Sequence, residues 1–253
     1  MNRGSGSSIA AALASVLLAF GLAGTGAHAA TSTSLVSSES GITADGLIDW
    51  GVKGSDGTIV PQPFTIPVPG VSGLEVTVSQ SAHDFLRVDQ SNMDQSGGLW
   101  KGNFAPGEKL LSTRVPEIGG TGPVSFVFNS PVQGVGAQIQ AFSHGSFTAT
   151  IEAFNSSNVS LGGPFTLTGN STNAADDSAI FIGILSNAVD ISKVVFGVPD
   201  VAPGGLVQEF AINGPRIQVA AVPEPKTYAM LMAGLGLLGL IARRRRKSLN
   251  AAA

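Results

Sequence analysis

Between residues 30 and 220 the apolar side chains fall at alternate positions rather than at the three-to-four spacing of a helix. Leu74, Val76 and Val78 stand against Glu75, Thr77 and Ser79, and Phe147, Ala149, Ile151 and Ala153 against Thr148, Thr150 and Glu152. Val135, Ala137, Ile139 and Ala141 likewise oppose Gln138 and Gln140. A period of two puts one set of side chains on a buried face and the other in water, which is the pattern of a half-buried strand. Residues 179–185 and 194–198 are apolar on both faces and are expected to be central strands. Residues 125–128 and 207–212 complete the set. Turn-forming groups separate the runs: Gly97-Gly98, Pro106-Gly107, Gly119-Gly120, Gly162-Gly163-Pro164, Pro203-Gly204-Gly205 and Asn213-Gly214-Pro215. The pattern predicts roughly ten short strands and no long amphipathic helix. The expected fold is all-β, an antiparallel β-sandwich of jelly-roll-like form, in one domain over residues 30–220. No fixed internal period argues for a β-helix.

The chain contains no Cys, so no disulfide framework holds the fold, and a body of this length must rely on a single apolar core. Residues 30–222 hold seven basic and sixteen acidic side chains, a net charge of −9. Nucleic-acid binding needs basic side chains to displace counterions, so that class of partner is excluded.

The two ends are of another kind. Residues 1–29 carry Arg3 and no acid, then the apolar run Ile9 to Leu22, then small residues ending in Ala27-His28-Ala29. A basic start, a short apolar stretch and an Ala-x-Ala site make a secretory signal peptide, with Ala27 and Ala29 read by the peptidase and cleavage expected before Ala30. At the other end Pro223-Glu224-Pro225 precedes a run of fifteen residues, Tyr228 to Ala242, free of charge, and then Arg243, Arg244, Arg245, Arg246 and Lys247. As a helix that run spans about 22 Å, against a hydrocarbon core of about 30 Å. It is expected to be one short transmembrane helix, completed by Thr227 and a snorkelling Arg243. The basic cluster stays on the cytoplasmic side while the body is exported. Residues 248–253 are a tail. The Gly234-x-Gly236-x-x-Gly239 pattern inside the run lacks the strand and acidic residue of a dinucleotide site and is set aside.

The order Pro-Glu-Pro, short apolar helix, Arg cluster over residues 221–247 resembles the PEP-CTERM sorting signal. The resemblance implies that a membrane-embedded exosortase recognises the signal through Pro223, Glu224, Pro225 and Arg243 to Arg246, and processes the chain nearby. It also implies a Gram-negative setting in which such proteins accompany exopolysaccharide in biofilm or floc. Asp49-Trp50-Gly51, residues 102–107, residues 134–140 and residues 179–183 are similar to bodies that recur beside this signal, and the likeness supports the sandwich alone.

Chemistry in the body is sparse. Signal cleavage leaves His83 and His144, with no Cys and no His-x-x-x-His pair to make a zinc site. His83 and Asp84 are adjacent, so on a strand they face opposite ways and do not form a base and its orienter. No Gly-x-Ser-x-Gly elbow occurs. Asp176 and Asp177 sit in the oxygen-rich stretch 169–179 and are the candidates for structural calcium; no other cofactor is expected. Trp50, Trp100 and Phe154 are the candidates for a sugar-stacking platform, with Asp94 and Lys101 as the polar neighbours of Trp100.

These residues predict an exported, non-enzymatic surface or matrix protein. Its partners are an exosortase, the membrane through the C-terminal helix, and exopolysaccharide. The alternatives are a carbohydrate-binding module with a defined glycan, marked by an exposed aromatic, and a secreted hydrolase, marked by a pocket where carboxylates or a His converge.

Overall fold

The computed structural model describes residues 31–90, 103–113, 120, 122–172, 174, 176–199, 209–219, 231–236 and 238. Among them are fifteen strands: β1 (Thr33–Val36), β2 (Gly46–Leu47), β3 (Thr58–Val60), β4 (Phe64–Pro67), β5 (Glu75–Gln80), β6 (Phe85–Asp89), β7 (Lys109–Ser112), β8 (Val124–Val132), β9 (Gly134–Ala141), β10 (Gly145–Phe154), β11 (Phe165–Ser171), β12 (Ile180–Ser186), β13 (Ile191–Gly197), β14 (Phe210–Ile212) and β15 (Arg216–Gln218). Sheet A has the order β1-β12-β9-β14-β7-β6-β3, with β15 pairing β9 and β2; sheet B has the order β11-β10-β13-β8-β5-β4.

Every pairing is antiparallel, and the central ones are nested: β10 with β11, β9 with β12, β8 with β13, β7 with β14. Successive members of this ladder lie alternately in sheets B and A. A long hairpin of paired strands is thus wrapped around itself, which is the jelly roll. The expected sandwich is therefore present. The expected number of strands was too low because β1 to β4 are two to four residues long, too short to display a period.

The two inner faces make one core. Phe126, Phe147, Ile151, Val194 and Phe196 come from sheet B, and Phe85, Ile139, Ile182, Ile184 and Phe210 from sheet A, each at 0–1% exposure. Burying one such side chain contributes about 1.5–3 kcal/mol, so the interior is strong enough to hold without cross-links. Leu86, Val88, Phe104, Leu110, Ala179 and Ala211 form a second cluster. Since Leu86 and Val88 alternate with Phe85 on β6, that cluster lies on the outer face of sheet A.

The cover on that outer face explains one departure from the sequence pattern. Gln140 on β9 was expected to be wet, yet it is fully buried. Its Nε2 donates to Asn170 O and Ser178 Oγ, both at 3.3 Å, so Asn170 and Ser178 lie over it.

Strand β9 is also shared along one edge. Its residues 134–136 pair with β15 and residues 139–141 with β14. Asn213 sits in the gap between the two: its N–H donates to Gln138 O, and its Oδ1 accepts from Gln138 N at 2.8 Å. Gly214 follows because a Cβ there would stand 1.8 Å from Ile48 O.

Residues 231–236 and 238 are helical, and among the described residues no helix is long and apolar enough to cross a membrane. Most of the expected transmembrane stretch 228–242 lies outside the described residues, as do residues 1–30 with the expected signal peptide, and residues 239–253 with the Arg cluster and tail.

Candidate functional site

The gap that Asn213 fills opens into a cleft of about 470 Å³ bordered by Glu39, Asp49, Glu108, Lys109, Asn213 and Arg216. Each of these side chains is positioned by the backbone already described. Glu108 immediately precedes β7, Arg216 opens β15, and Asp49 caps the short 3-10 helix Trp50–Lys53 by accepting from Gly51 N at 2.8 Å. Asn213 Nδ2 donates to both oxygens of Glu108, at 3.1 and 3.3 Å, and to Gln138 Oε1 at 3.0 Å. Arg216 pairs with Glu39 at 2.5 Å, and Lys109 with Asp89 at 2.8 Å.

The electrostatics follow from burial and neighbours. Burial pushes the Glu108 carboxyl above its ordinary value; the Asn213 amide pulls the other way, and the charge on Glu39 adds to the rise. Asp89 moves down: burial would raise it, but the hydrogen bond from Lys109 and the Arg87 charge prevail. The cleft thus offers carboxylates, a guanidinium and an amide held in fixed directions, a set suited to hydrogen-bonding a polar ligand. None of Glu39, Glu108, Asn213 and Arg216 was singled out in the sequence. Their sequence separations, 105 residues for Asn213 to Glu108 and 177 for Arg216 to Glu39, leave no linear signal, although the Asn-Gly-Pro turn marked the spot.

The expected site residues fare differently. Trp50 is not a sugar platform. Its ring is fully buried, edge-on to Phe64 and tilted against Phe126 at centroid distances of 6.3 Å, because the 3-10 helix that carries it folds it into the core. Phe154 is half-buried, and Lys193 Nζ covers its ring 4.0 Å from the centroid. Trp100, Asp94 and Lys101 lie outside the described residues. His83 and Asp84 are not on a strand. They precede β6, His83 with a φ of 62° in a turn, while Asp84 Oδ1 accepts from Gln62 N at 3.1 Å.

Asp176 and Asp177 are both exposed and behave differently. Asp176 accepts from Thr172 Oγ1 at 2.6 Å and from Ser178 N at 3.2 Å, and these hydrogen bonds, Thr172 first, hold its carboxyl below the ordinary range. Asp177 takes a φ of 49°. Among the described residues no group of three or more His, Cys, Asp or Glu is gathered as a metal centre. The sorting-signal residues Pro223, Glu224, Pro225 and Arg243 to Arg246, and the cleavage residues Ala27, Ala29 and Ala30, lie outside the described residues.

Comparison with curated proteins returns no match. Among solved structures the chain is similar to the enzymatically active domain of tailspike protein 4 of bacteriophage CBA120, with 12% identity over 58% of this chain and 19% of that one. The TM-score is 0.26. The C-terminal segment gives a definite result: residues 221–247 match the PEP-CTERM protein-sorting motif. The resemblance seen in the Pro-Glu-Pro, the apolar run and the Arg cluster is thereby established, and the chain is an exported protein that carries a PEP-CTERM sorting motif, the substrate mark of an exosortase.

Proposed function

We propose that this protein is a non-enzymatic structural or adhesive component of the cell surface or extracellular matrix, associated with exopolysaccharide. The observation that carries this is the sorting motif at residues 221–247 joined to an acidic, Cys-free jelly roll. The order of events is secretion with cleavage before Ala30, retention by the apolar run and basic cluster, processing near Pro223-Glu224-Pro225, and delivery outward. Replacing those three residues by Ala tests it. Export should continue while the unprocessed chain accumulates in the membrane fraction, read by immunoblot; processing at the normal rate would overturn the reading.

The cleft supports a second reading, a module for a defined glycan. Carboxylates, an amide and an arginine held in fixed directions suit vicinal hydroxyl groups. A glycan array with the wild-type chain and the Asn213→Ala and Arg216→Ala variants separates the two. Binding by the wild type that either variant abolishes favours the module; binding by none favours the structural role. Turnover of any glycan, read as reducing ends released, would replace both with a hydrolase.

A further inference from the structure

We infer, resting on the glycan reading of the cleft beside Asn213, that its ligand is a sugar with free amino groups rather than a neutral or an acidic one. The first observation is the balance of charge in the cleft. Glu39, Asp49, Glu108, Lys109 and Arg216 are the charged side chains that border it. Both cations are already neutralised, Arg216 by Glu39 and Lys109 by Asp89. Asp49 and Glu108 make no ion pair among the described residues; the hydrogen bonds they accept come from uncharged groups, Gly51 N and the Asn213 amide. The border therefore keeps two carboxylates with no cation to answer them. A uronate would add a further negative charge beside them. A protonated amine brings one positive charge and three N–H donors, and its bonds to carboxylates are roughly twice as strong as those of a neutral hydroxyl.

The state of Glu108 agrees with this. Burial, and then the charges of Glu39 and Asp177, push its carboxyl up against the pull of Asn213 and Arg216. An ammonium group beside it would favour the ionised form, so that ligand and site each stabilise the charge of the other.

The second observation is a stranded donor. Trp50 is wholly buried, yet it forms part of the same wall, and its Nε1 has no acceptor. Buried donors are nearly always paired, and the group missing here is an oxygen. A metal ion or a lysine side chain would answer the carboxylates but offers no acceptor. An amino sugar carries an ammonium group and several hydroxyl oxygens on one ring and answers both needs. The cleft, at about 470 Å³, lies within the range of small-ligand sites, about 300–1,000 Å³.

The third observation concerns the whole body. Residues 30–222 carry a net charge of −9. A chain of free amino sugars approaches a complementary field, whereas a polyuronate is repelled along its length.

The test is calorimetric titration of the full-length chain in detergent, in a buffer that keeps sugar amines protonated. The probes are a glucosamine oligomer, its N-acetylated counterpart and a galacturonate oligomer of equal length. The glucosamine oligomer should bind about tenfold or more tighter than the N-acetylated one, and the galacturonate should not bind. Glu108→Gln and Asp49→Asn each keep an acceptor for the bond already made and remove only charge. Each should weaken glucosamine binding about tenfold or more. Glu75→Gln removes the same charge from the exposed start of β5, in the other sheet, and should change binding less than about twofold. If the N-acetylated or galacturonate oligomer binds as tightly as the amine, the cleft remains a glycan site and the preference for amines is overturned. If no oligomer binds, the glycan reading falls with it. If Glu75→Gln weakens binding as much as Glu108→Gln, the attraction belongs to the charge of the whole body and the cleft has no part in it.

Discussion

Trp50 and Glu108 border the same cleft and make opposite demands on it. Trp50 exposes none of its surface, yet its Nε1 is buried with no acceptor. Its value is in packing against Phe64 and Phe126. Trp50→Ala should therefore cost about 3–5 kcal/mol in urea unfolding. Trp50→Phe should cost much less, since it also removes the stranded donor; near-equal losses in the two variants would contradict a packing role. Glu108 is held partly out of water, and its folded pKa lies above the ordinary carboxylate value. Below that value both folded and unfolded chains carry the proton, and Glu108 is neutral in its effect. As pH rises, the unfolded chain ionises first, so stability is lost up to the folded pKa and the deficit then stays constant. Glu108→Gln should match wild type below about pH 4 and be the more stable protein at pH 7, read from unfolding curves across pH. An unchanged difference between the two at all pH values would exclude this titration.

At the scale of elements, the junction between β14 and β15 is the tightest joint described above. Gly214→Ala would push a methyl group into the Ile48 carbonyl. Overpacking against a fixed backbone costs about 1–3 kcal/mol or more, and here it should also widen the Asn213–Glu108 contact. A thermal midpoint within 2 °C of wild type, roughly the shift expected from 0.5 kcal/mol in a chain of this size, would show that the joint gives freely. Elements differ in how plainly the sequence announces them. β5 and β10 alternate cleanly because each has one face on the core and one toward water, and residues 74–79 and 147–153 were legible for that reason. β9 carries the same alternation but is covered on both faces, so Gln138 and Gln140 looked wet when Gln140 is sealed. The nested pairing of β7 to β14 rests on partners far apart in sequence, and its order was legible only as a fold type. Asn103 and Asp176 are 73 residues apart, so their meeting could not be read in advance, although the oxygen-rich stretch around Asp176 could. The sorting motif is linear, and a linear signal is read whole.

For the whole molecule, the buried apolar residues among those described run from Ile42 to Ile217, and the described residues of the motif segment, 231–236 and 238, are exposed. The body should therefore fold without the motif. A chain ending at residue 220 should be exported, recovered in the medium, and unfold with the same midpoint as the full-length protein in matched detergent. A midpoint lower by more than about 5 °C, roughly 1.3–2.5 kcal/mol in a chain of this size, would mean that the C-terminal segment supports the fold. The placement of β15 has a mechanical consequence. It is the last described strand before the segment by which the precursor is held. It is bonded on both sides, to β2 and to β9, with Arg216 locked to Glu39. Tension on the tether thus enters between two neighbours that must shear together, whereas an outermost strand would peel one bond at a time. Drawn from its C-terminus in optical tweezers, the body should yield at a higher force than a variant with Arg216→Ala, and equal forces would place the first rupture elsewhere.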